Sequence, residues 1–381
     1  MYTNYRDKSR LTPAAEKAGN VLLQIGLGLL GCVFVFSGFV KAIDPLGSTY
    51  KFDDYFRAFG GLWEIFTHIS FPLAIFLSTI ELVIGLSLIF KIQLRISLYV
   101  ALAFMSVMTL LTFYSALFNP VSDCGCFGDA LILSNWATFS KNLVLIALVL
   151  IMIFFRKKLR SSFTEKAQHI ALGIFVVLAL SLSAYCYRNL PLIDFLPYKV
   201  GVNIPAAMVI PENVPLDKYE TTFIYAKNGV QKEFTLENYP KGDSTWKFVD
   251  QKTVLITKGY KAPIHDFSIV NSEFEDITEK VLYDNGYTYL LVIYDLYQAS
   301  EQGAKKAEQI YQKSLKSGAK FYALTASSDG DINSFKKKNG VTYPFCKTDP
   351  TTLKTIIRAN PGLILIKNGT IVGKWNWRNF E

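Results

Sequence analysis

Two thiols separated by a single glycine stand in the stretch Asp123-Cys124-Gly125-Cys126-Phe127-Gly128-Asp129. Such a pair can close into a small cyclic disulfide, because the intervening glycine accepts positive φ and other turn conformations that strain a residue bearing a Cβ. A bond cramped into so short a ring is strained, hence oxidising and readily exchanged. Asp123 and Asp129 flank the pair, and no Lys, Arg or His lies between Pro120 and Phe139. Neighbouring carboxylates disfavour a thiolate. The sequence therefore predicts a pair suited to passing on a disulfide, not a low-pKa nucleophile.

The elements that must position this pair are apolar. Of 381 residues, 51% are hydrophobic and 19% charged, and the apolar residues crowd into the first half. The length leaves room for two or three domains. Five stretches, near 20–40, 71–90, 97–118, 138–155 and 168–187, reach the ~17–25 residues needed to cross a bilayer as a helix. The first is too long for a signal peptide and has no small-residue cleavage pattern, so it reads as a retained anchor.

The net charge of +9 is not spread as a nucleic-acid surface would need. Arg6, Lys8, Arg10 and Lys17 precede span one, Lys91 and Arg95 separate spans two and three, and Arg156, Lys157, Lys158, Arg160 and Lys166 separate spans four and five. The opposite loops carry only Lys41, Lys51, Arg57 and Lys141. This positive-inside asymmetry predicts a membrane protein with its N-terminus in the cytoplasm and its C-terminal half outside. The cysteine loop then faces an oxidising compartment. Membrane lipid is an expected partner and nucleic acid is not.

The other thiols are scattered. Cys32 reads as a small packing residue within span one, Cys186 lies near the outer end of span five, and Cys346 falls in the soluble half. Five cysteines leave at least one free or paired with another chain. His68, His169 and His265 are too dispersed for a haem or metal site, so no metal is expected.

In chain order, residues 1–19 read as a cytoplasmic tail. Gly26, Gly28, Gly31 and Gly38 of span one suit close helix packing. Lys41 and Asp44, three apart, are placed to pair at the outer surface. Residues 50–70 alternate aromatic and charged side chains, as in a helix lying along the interface. Span two carries Glu81 at its middle. A carboxyl at that depth faces the bundle interior. It is either a protonated group that holds neighbouring helices or a proton acceptor or donor beside a quinone-like ligand. Ser134 is placed to cap span four.

Beyond Pro191 and Pro197 come short strands, 221–226, 231–236, 245–249 and 253–257, with a hairpin signal at Asn228-Gly229. From 259 onward strands alternate with helices: 287–294 as a buried strand, 300–316 as a helix, 320–325 as a strand, 331–338 and 351–358 as helices, and a hairpin of 362–367 with 370–375. This order implies an α/β sheet. The fold class expected is thus a membrane all-α bundle of four helices plus a fifth, followed by an extracytoplasmic α/β domain with a small β-rich module. The divisions are 1–19, 20–157, 158–190, 191–258 and 259–381.

Three groups of residues carry a resemblance: Ser37-Gly38-Phe39-Val40-Lys41 leading to Asp44-Pro45, Glu81 to Gly85, and Cys124-Gly125-Cys126-Phe127-Gly128. With them residues 20–157 resemble the DoxX/MauE family of redox-associated membrane proteins. The resemblance implies a four-helix bundle linked to thiosulfate:quinone oxidoreduction, or to disulfide formation in a periplasmic methylamine dehydrogenase. Added to the charge asymmetry, it makes the bacterial inner membrane the expected setting and the periplasm the expected place of the C-terminal half. It makes Cys124 and Cys126 the redox pair, and it makes Glu81, Lys41 and Asp44 candidates for a quinone or proton site. The last part is similar to a thioredoxin-like domain of the TlpA kind, through Gly259-Tyr260-Lys261-Ala262-Pro263 and Asn360-Pro361-Gly362. Pro361 corresponds to that family's cis-proline loop and becomes a partner-binding candidate. Where the family carries Cys-x-x-Cys, this chain reads Tyr294-Asp295-Leu296-Tyr297-Gln298-Ala299-Ser300, so this domain has no dithiol of its own. Cys346 stands elsewhere in the fold, as a buried strand residue or a relay thiol. The layout also resembles that of bacterial vitamin K epoxide reductase homologues.

The function expected is exchange of disulfides between Cys124/Cys126 and an extracytoplasmic thiol protein, with a quinone as the conceivable electron acceptor. The competing expectation is a membrane-anchored scaffold in which the pair only staples its loop and the C-terminal domain docks an envelope protein.

Overall fold

The computed structural model describes residues 13–380 except 122, 160, 216, 217 and 258. Arg6, Lys8, Arg10 and Arg160, which entered the charge reading, lie outside the described residues, as does most of the tail.

The first half is helical: α1 (Pro13–Ile43), α2 (Pro45–Phe59), a 3-10 stretch (Gly61–Ile69), α3 (Ser70–Phe90), α4 (Leu94–Phe118), α5 (Asn135–Phe154) and α6 (Glu165–Arg188). Among the described residues, five helices are long and apolar enough to cross a membrane: Ala14–Ile43, Gly61–Phe90, Leu94–Phe118, Asn135–Phe154 and Glu165–Arg188. Each span was expected; the first two start earlier by 6 and 10 residues, and the other three start 3 residues earlier. The interfacial helix expected over 50–70 is broken at Gly60, where φ is +65°. Its first part became α2, started by Asp44 as N-cap and Pro45 at the first turn.

Helices α1 and α3 pack almost backbone to backbone. A Cβ on Gly38 would sit 2.5 Å from the Leu82 nitrogen, and one on Gly85 would sit 2.5 Å from the Val35 nitrogen. Only glycine allows this approach. Leu27, Leu30, Leu88, Leu98 and Val149 fill the bundle core. Between α4 and α5, Asn142 donates to the Thr112 hydroxyl at 3.1 Å, a polar tie among apolar side chains. Ser134 caps α5 by accepting from the Ala137 amide, and the outward faces stay apolar. Cys32 lies on one of those faces and is exposed, which corrects its reading as a packing residue.

After α6 a linker leads to α7 (Ile204–Met208) and to an antiparallel sheet of β1 (Lys218–Lys227), β2 (Val230–Thr235) and β3 (Lys247–Thr257), ordered β2-β1-β3. Asn228 and Gly229 both have positive φ, as a two-residue hairpin turn requires. Residues 245–249 and 253–257 are not two strands. They are joined in β3, where Asp250, Gln251 and Lys252 pair in regular register with Ile224, Phe223 and Thr222 of β1 and the irregularity falls beside them at Val249.

The last part contains α8 (Thr278–Leu282), β4 (Tyr287–Val292), α9 (Glu301–Ser317), β5 (Lys320–Thr325), α10 (Asp329–Asn339), β6 (Phe345–Lys347), α11 (Pro350–Ile356), β7 (Gly362–Lys367) and β8 (Thr370–Asn376). The sheet order is β6-β5-β4-β7-β8. Strands β4, β5 and β6 are parallel, while β7 and β8 run antiparallel. With a cis Asn360–Pro361 bond before β7, this is a thioredoxin-like fold. Central β4 is buried on both faces, against Ile264, Ile269 and Ile364 on one side and Ala304, Ala307 and Phe321 on the other.

Candidate functional site

The cysteine loop sits where α4 ends and α5 begins, beside the C-terminal end of α1. The Cys124 and Cys126 sulfurs are unbonded, 3.1 Å apart. Gly125 between them has φ +66°, a conformation that glycine adopts without a steric penalty. The Asp123 carboxylate holds the turn, accepting from the Gly125 amide at 3.0 Å and from Lys51 at 2.8 Å. Phe127 is buried against Phe36, with the Lys141 ammonium 4.2 Å above its ring.

Beneath the loop lies a charged group inside the bundle. Lys41 Nζ is 2.8 and 2.7 Å from the two oxygens of Glu81. The Ser37 hydroxyl lies 2.9 Å from Glu81 Oε2 and 2.8 Å from the Cys126 carbonyl oxygen. Glu81 thus faces the bundle interior, as its depth predicts, with Lys41 and Ser37 of the neighbouring helix as its partners. The expected Lys41–Asp44 pair does not form. Lys41 turns inward one helical turn from Ser37, whereas Asp44 leaves α1, caps α2 and meets Arg358.

The flanking carboxylates do not set the character of the thiols. The Cys126 thiol is pushed down to about 6, chiefly by its hydrogen bond with Cys124. Burial opposes this shift, and Lys141 and Lys41 reinforce it. Cys124 is pushed up, by the same hydrogen bond and by burial. The flanking carboxylates alone point to a pair that is no low-pKa nucleophile, and the shift at Cys126 runs the other way. The cations that matter arrive from α1 and α5, and Asp123 is neutralised by Lys51 from α2.

Two small cavities touch the pair. One of about 30 Å³ is lined by Phe34, Ser37, Glu81, Met105 and Cys126. The other, of about 50 Å³, is lined by Lys41, Lys51, Tyr55, Glu81, Cys124 and Cys126. An apolar cavity needs roughly 150 Å³ to admit a benzene ring. Both spaces beside Glu81 are smaller than such a cavity.

The thioredoxin-like domain rests on the same end of the bundle. Arg358 Nε lies 3.0 and 2.9 Å from the two oxygens of Asp44, and Nη2 lies 3.0 Å from Asp129. The guanidinium also stacks over Tyr50, whose ring meets Tyr294 edge-on. Lys374 pairs with Asp194 of the linker at 2.6 Å, and Asn379 donates to Asn189 at 3.1 Å. None of Ser37, Lys51, Lys141, Tyr55, Asp129 or Arg358 stood among the site candidates.

Two candidates fall elsewhere. Cys346 lies in β6, 4% exposed within the domain core, and burial pushes its thiol up to about 11. It is a core residue with no route to act as a relay. Pro361 is buried against the start of α9, where a Cβ on Gly303 would lie 2.8 Å from its ring. The segment 294–300 keeps the fold's turn without a thiol. The Asp295 carboxylate accepts from the amides of Tyr297 and Gln298, and Ser300 caps α9.

Residues 19–155 match the family model of the methylamine utilisation protein MauE. Residues 219–258, the three-stranded sheet, match a domain of unknown function (DUF8463). No curated protein matches the chain. Among solved structures, a Bacteroides thetaiotaomicron protein described as a protein disulfide isomerase is similar at 19% identity and a TM-score of 0.26, over 30% of this chain and 76% of that one. The bacterioferritin comigratory protein of Xanthomonas campestris, described for its alkyl peroxide reduction activity, is similar at 13% identity and a TM-score of 0.24, over 30% of this chain and 82% of that one.

Proposed function

We propose that this chain is a membrane thiol–disulfide exchange protein whose reacting groups are Cys124 and Cys126. One observation carries the reading: two sulfurs in contact, with the environment of one favouring thiolate and that of the other favouring thiol. The MauE-type domain supports a membrane redox role. The proposed partner is an envelope protein carrying a disulfide or dithiol. The proposed setting is the bacterial inner membrane with the cysteine loop on the periplasmic side, which the charge asymmetry of the loops supports.

The Cys126 thiolate attacks one sulfur of the partner's disulfide, forming a mixed disulfide and releasing the partner's other sulfur as a thiolate. Cys124 then loses its proton and attacks the Cys126 sulfur. The ring disulfide closes, and the second partner thiolate leaves. The partner gains two electrons that the pair loses, and the two thiol protons pass to the partner's thiolates or to water. Run backwards, the same steps oxidise the partner. Lys41 and Lys141 stabilise the attacking thiolate, and Gly125 supplies the turn on which the ring closes. Glu81, with Ser37, fixes Lys41 and the Cys126 carbonyl.

The assignment makes the two single variants unequal. With Cys124→Ser, intact membranes should accumulate mixed disulfides visible on non-reducing gels. Cys126→Ser should accumulate none. Equal trapping by both, or by neither, would remove the assignment. The lack of a thiol at 294–300 favours a second reading, a scaffold whose C-terminal domain docks an envelope protein. That reading expects no trapped species and no phenotype from either variant.

A further inference from the structure

The polar cavity between the two halves, of about 400 Å³, has a floor and a roof of different origin. Lys51, Gly125 and Gly128 contribute to its floor, and Thr351, Lys354 and Arg358 of the C-terminal domain contribute to its roof. Ser48, Lys51 and Gly125 line both this cavity and the 50 Å³ pocket onto which Cys124 and Cys126 open. One layer of side chains thus separates the sulfurs from the cavity, and the C-terminal domain covers the cavity. A protein-sized partner has no path to the sulfurs along this side while the domain stays in place.

Among the described residues, the ion pairs that tie the domain to the bundle itself all run through one residue, Arg358, while Lys374 ties the domain to the linker. The Arg358 side chain is 8% exposed and joins Asp44, at the α1–α2 junction, to Asp129, three residues beyond Cys126. A forked guanidinium can bind both oxygens of one carboxylate and still reach a second, which a lysine cannot do. Among the described residues, the contacts with α2 and the end of α6 also include a ring pair, cations over Tyr50 and Tyr187, and hydrogen bonds. The stretch between α6 and α7 has neither helix nor strand. Contacts of this polar kind between domains of one chain ordinarily permit relative motion.

We propose that the C-terminal thioredoxin-like domain is a lid over the Cys124–Cys126 site, with Arg358 as its latch, and that the latch must release before a protein partner reaches the thiols. The proposal rests on the exchange reading for its purpose and on the geometry alone for its existence. It gives a domain without a dithiol a task that needs none.

The test uses the full-length chain in membrane vesicles. A membrane-impermeant maleimide is added, and the rate at each cysteine is read by mass mapping. Cys346, buried in the core of the C-terminal domain, reports whether the fold is intact; Cys186 hydrogen-bonds to the backbone of Leu192 in the linker and feels Asp44, so its rate is free to follow the lid. Arg358→Ala and the double variant Asp44→Asn/Asp129→Asn should each raise the rate at Cys124 and Cys126 about tenfold or more, equivalent to a closing equilibrium weakened by about 1.4 kcal/mol. The rate at Cys346 should be unchanged, and Arg358→Lys should fall between. Unchanged rates at the pair in both variants overturn the lid. If Cys346 also speeds up, the charge-free triple Arg358→Met/Asp44→Asn/Asp129→Asn decides, because it leaves no buried charge unpaired. Acceleration at the pair but not at Cys346 upholds the lid, and its absence overturns it. Trapping with Cys124→Ser is scored separately. Faster labelling without trapped species keeps the lid and removes the exchange reading.

Discussion

Two places in this molecule have the architecture of a dithiol site, and they differ in what each lacks. The segment 294–300 has the scaffold: it follows the central strand, leads into the capped helix α9 and lies beside the cis Asn360–Pro361 bond. It has no sulfur. The loop 123–129 has both sulfurs, but its own sequence supplies only carboxylates and an aromatic ring. The cations around it come from elsewhere: Lys41 on α1 and Lys141 on α5 act on Cys126, and Lys51 on α2 pairs with Asp123. A familiar fold is thus no guide to where the chemistry sits, and a short motif is no guide to its own pKa. Both depend on what distant elements bring.

The sharpest way to break this contrast is to remove the charge beneath the loop. Glu81→Gln leaves Lys41 without its partner inside the bundle, and breaking a buried pair costs about 3–5 kcal/mol. Denaturation in detergent should show that loss, and adding Lys41→Met should recover most of it. If the single variant is as stable as the wild type, the pair does not hold α1 to α3.

A smaller effect sharpens the electrostatic half of the comparison. Because the Cys126 thiol is held near 6, its alkylation rate should be close to its plateau at neutral pH and fall as pH drops through about 6. Lys141→Gln removes a cation that favours the thiolate, so the midpoint should move upward, by up to about one pH unit. A downward or absent shift means Lys141 does not act on the thiol. The smallest effect concerns the other region. Cys346→Ala should leave trapping by Cys124→Ser unchanged, because a thiol in the β6 core cannot exchange. Lost trapping would reinstate Cys346 as a relay.

What could be read in the sequence was local. The turn at Asn228-Gly229, the cap at Ser134, the apolar run of β4 and the Cys-Gly-Cys turn each carry their signal within a few residues. The spans were legible because length and hydropathy suffice. Partner choice was not. Lys41 has Asp44 three residues away, yet it pairs with Glu81 because the Gly38–Leu82 approach brings α3 against the face of α1 that bears Ser37 and Lys41. Arg358 lies 314 residues from Asp44, and nothing near it in the chain distinguishes it from an ordinary surface arginine. The continuity of β3 was hidden by charged residues that a strand exposed on both faces tolerates.

The tether from Arg188 to Tyr198 is short, and Asp194 along it is held by Lys374. A domain so tied returns to its seat at a local concentration that short flexible connections set at about millimolar. Any free protein competing for that seat must overcome this advantage, so a weak binder at micromolar abundance would rarely win. The chain therefore favours partners that are either abundant at the membrane surface or able to grip the bundle elsewhere first.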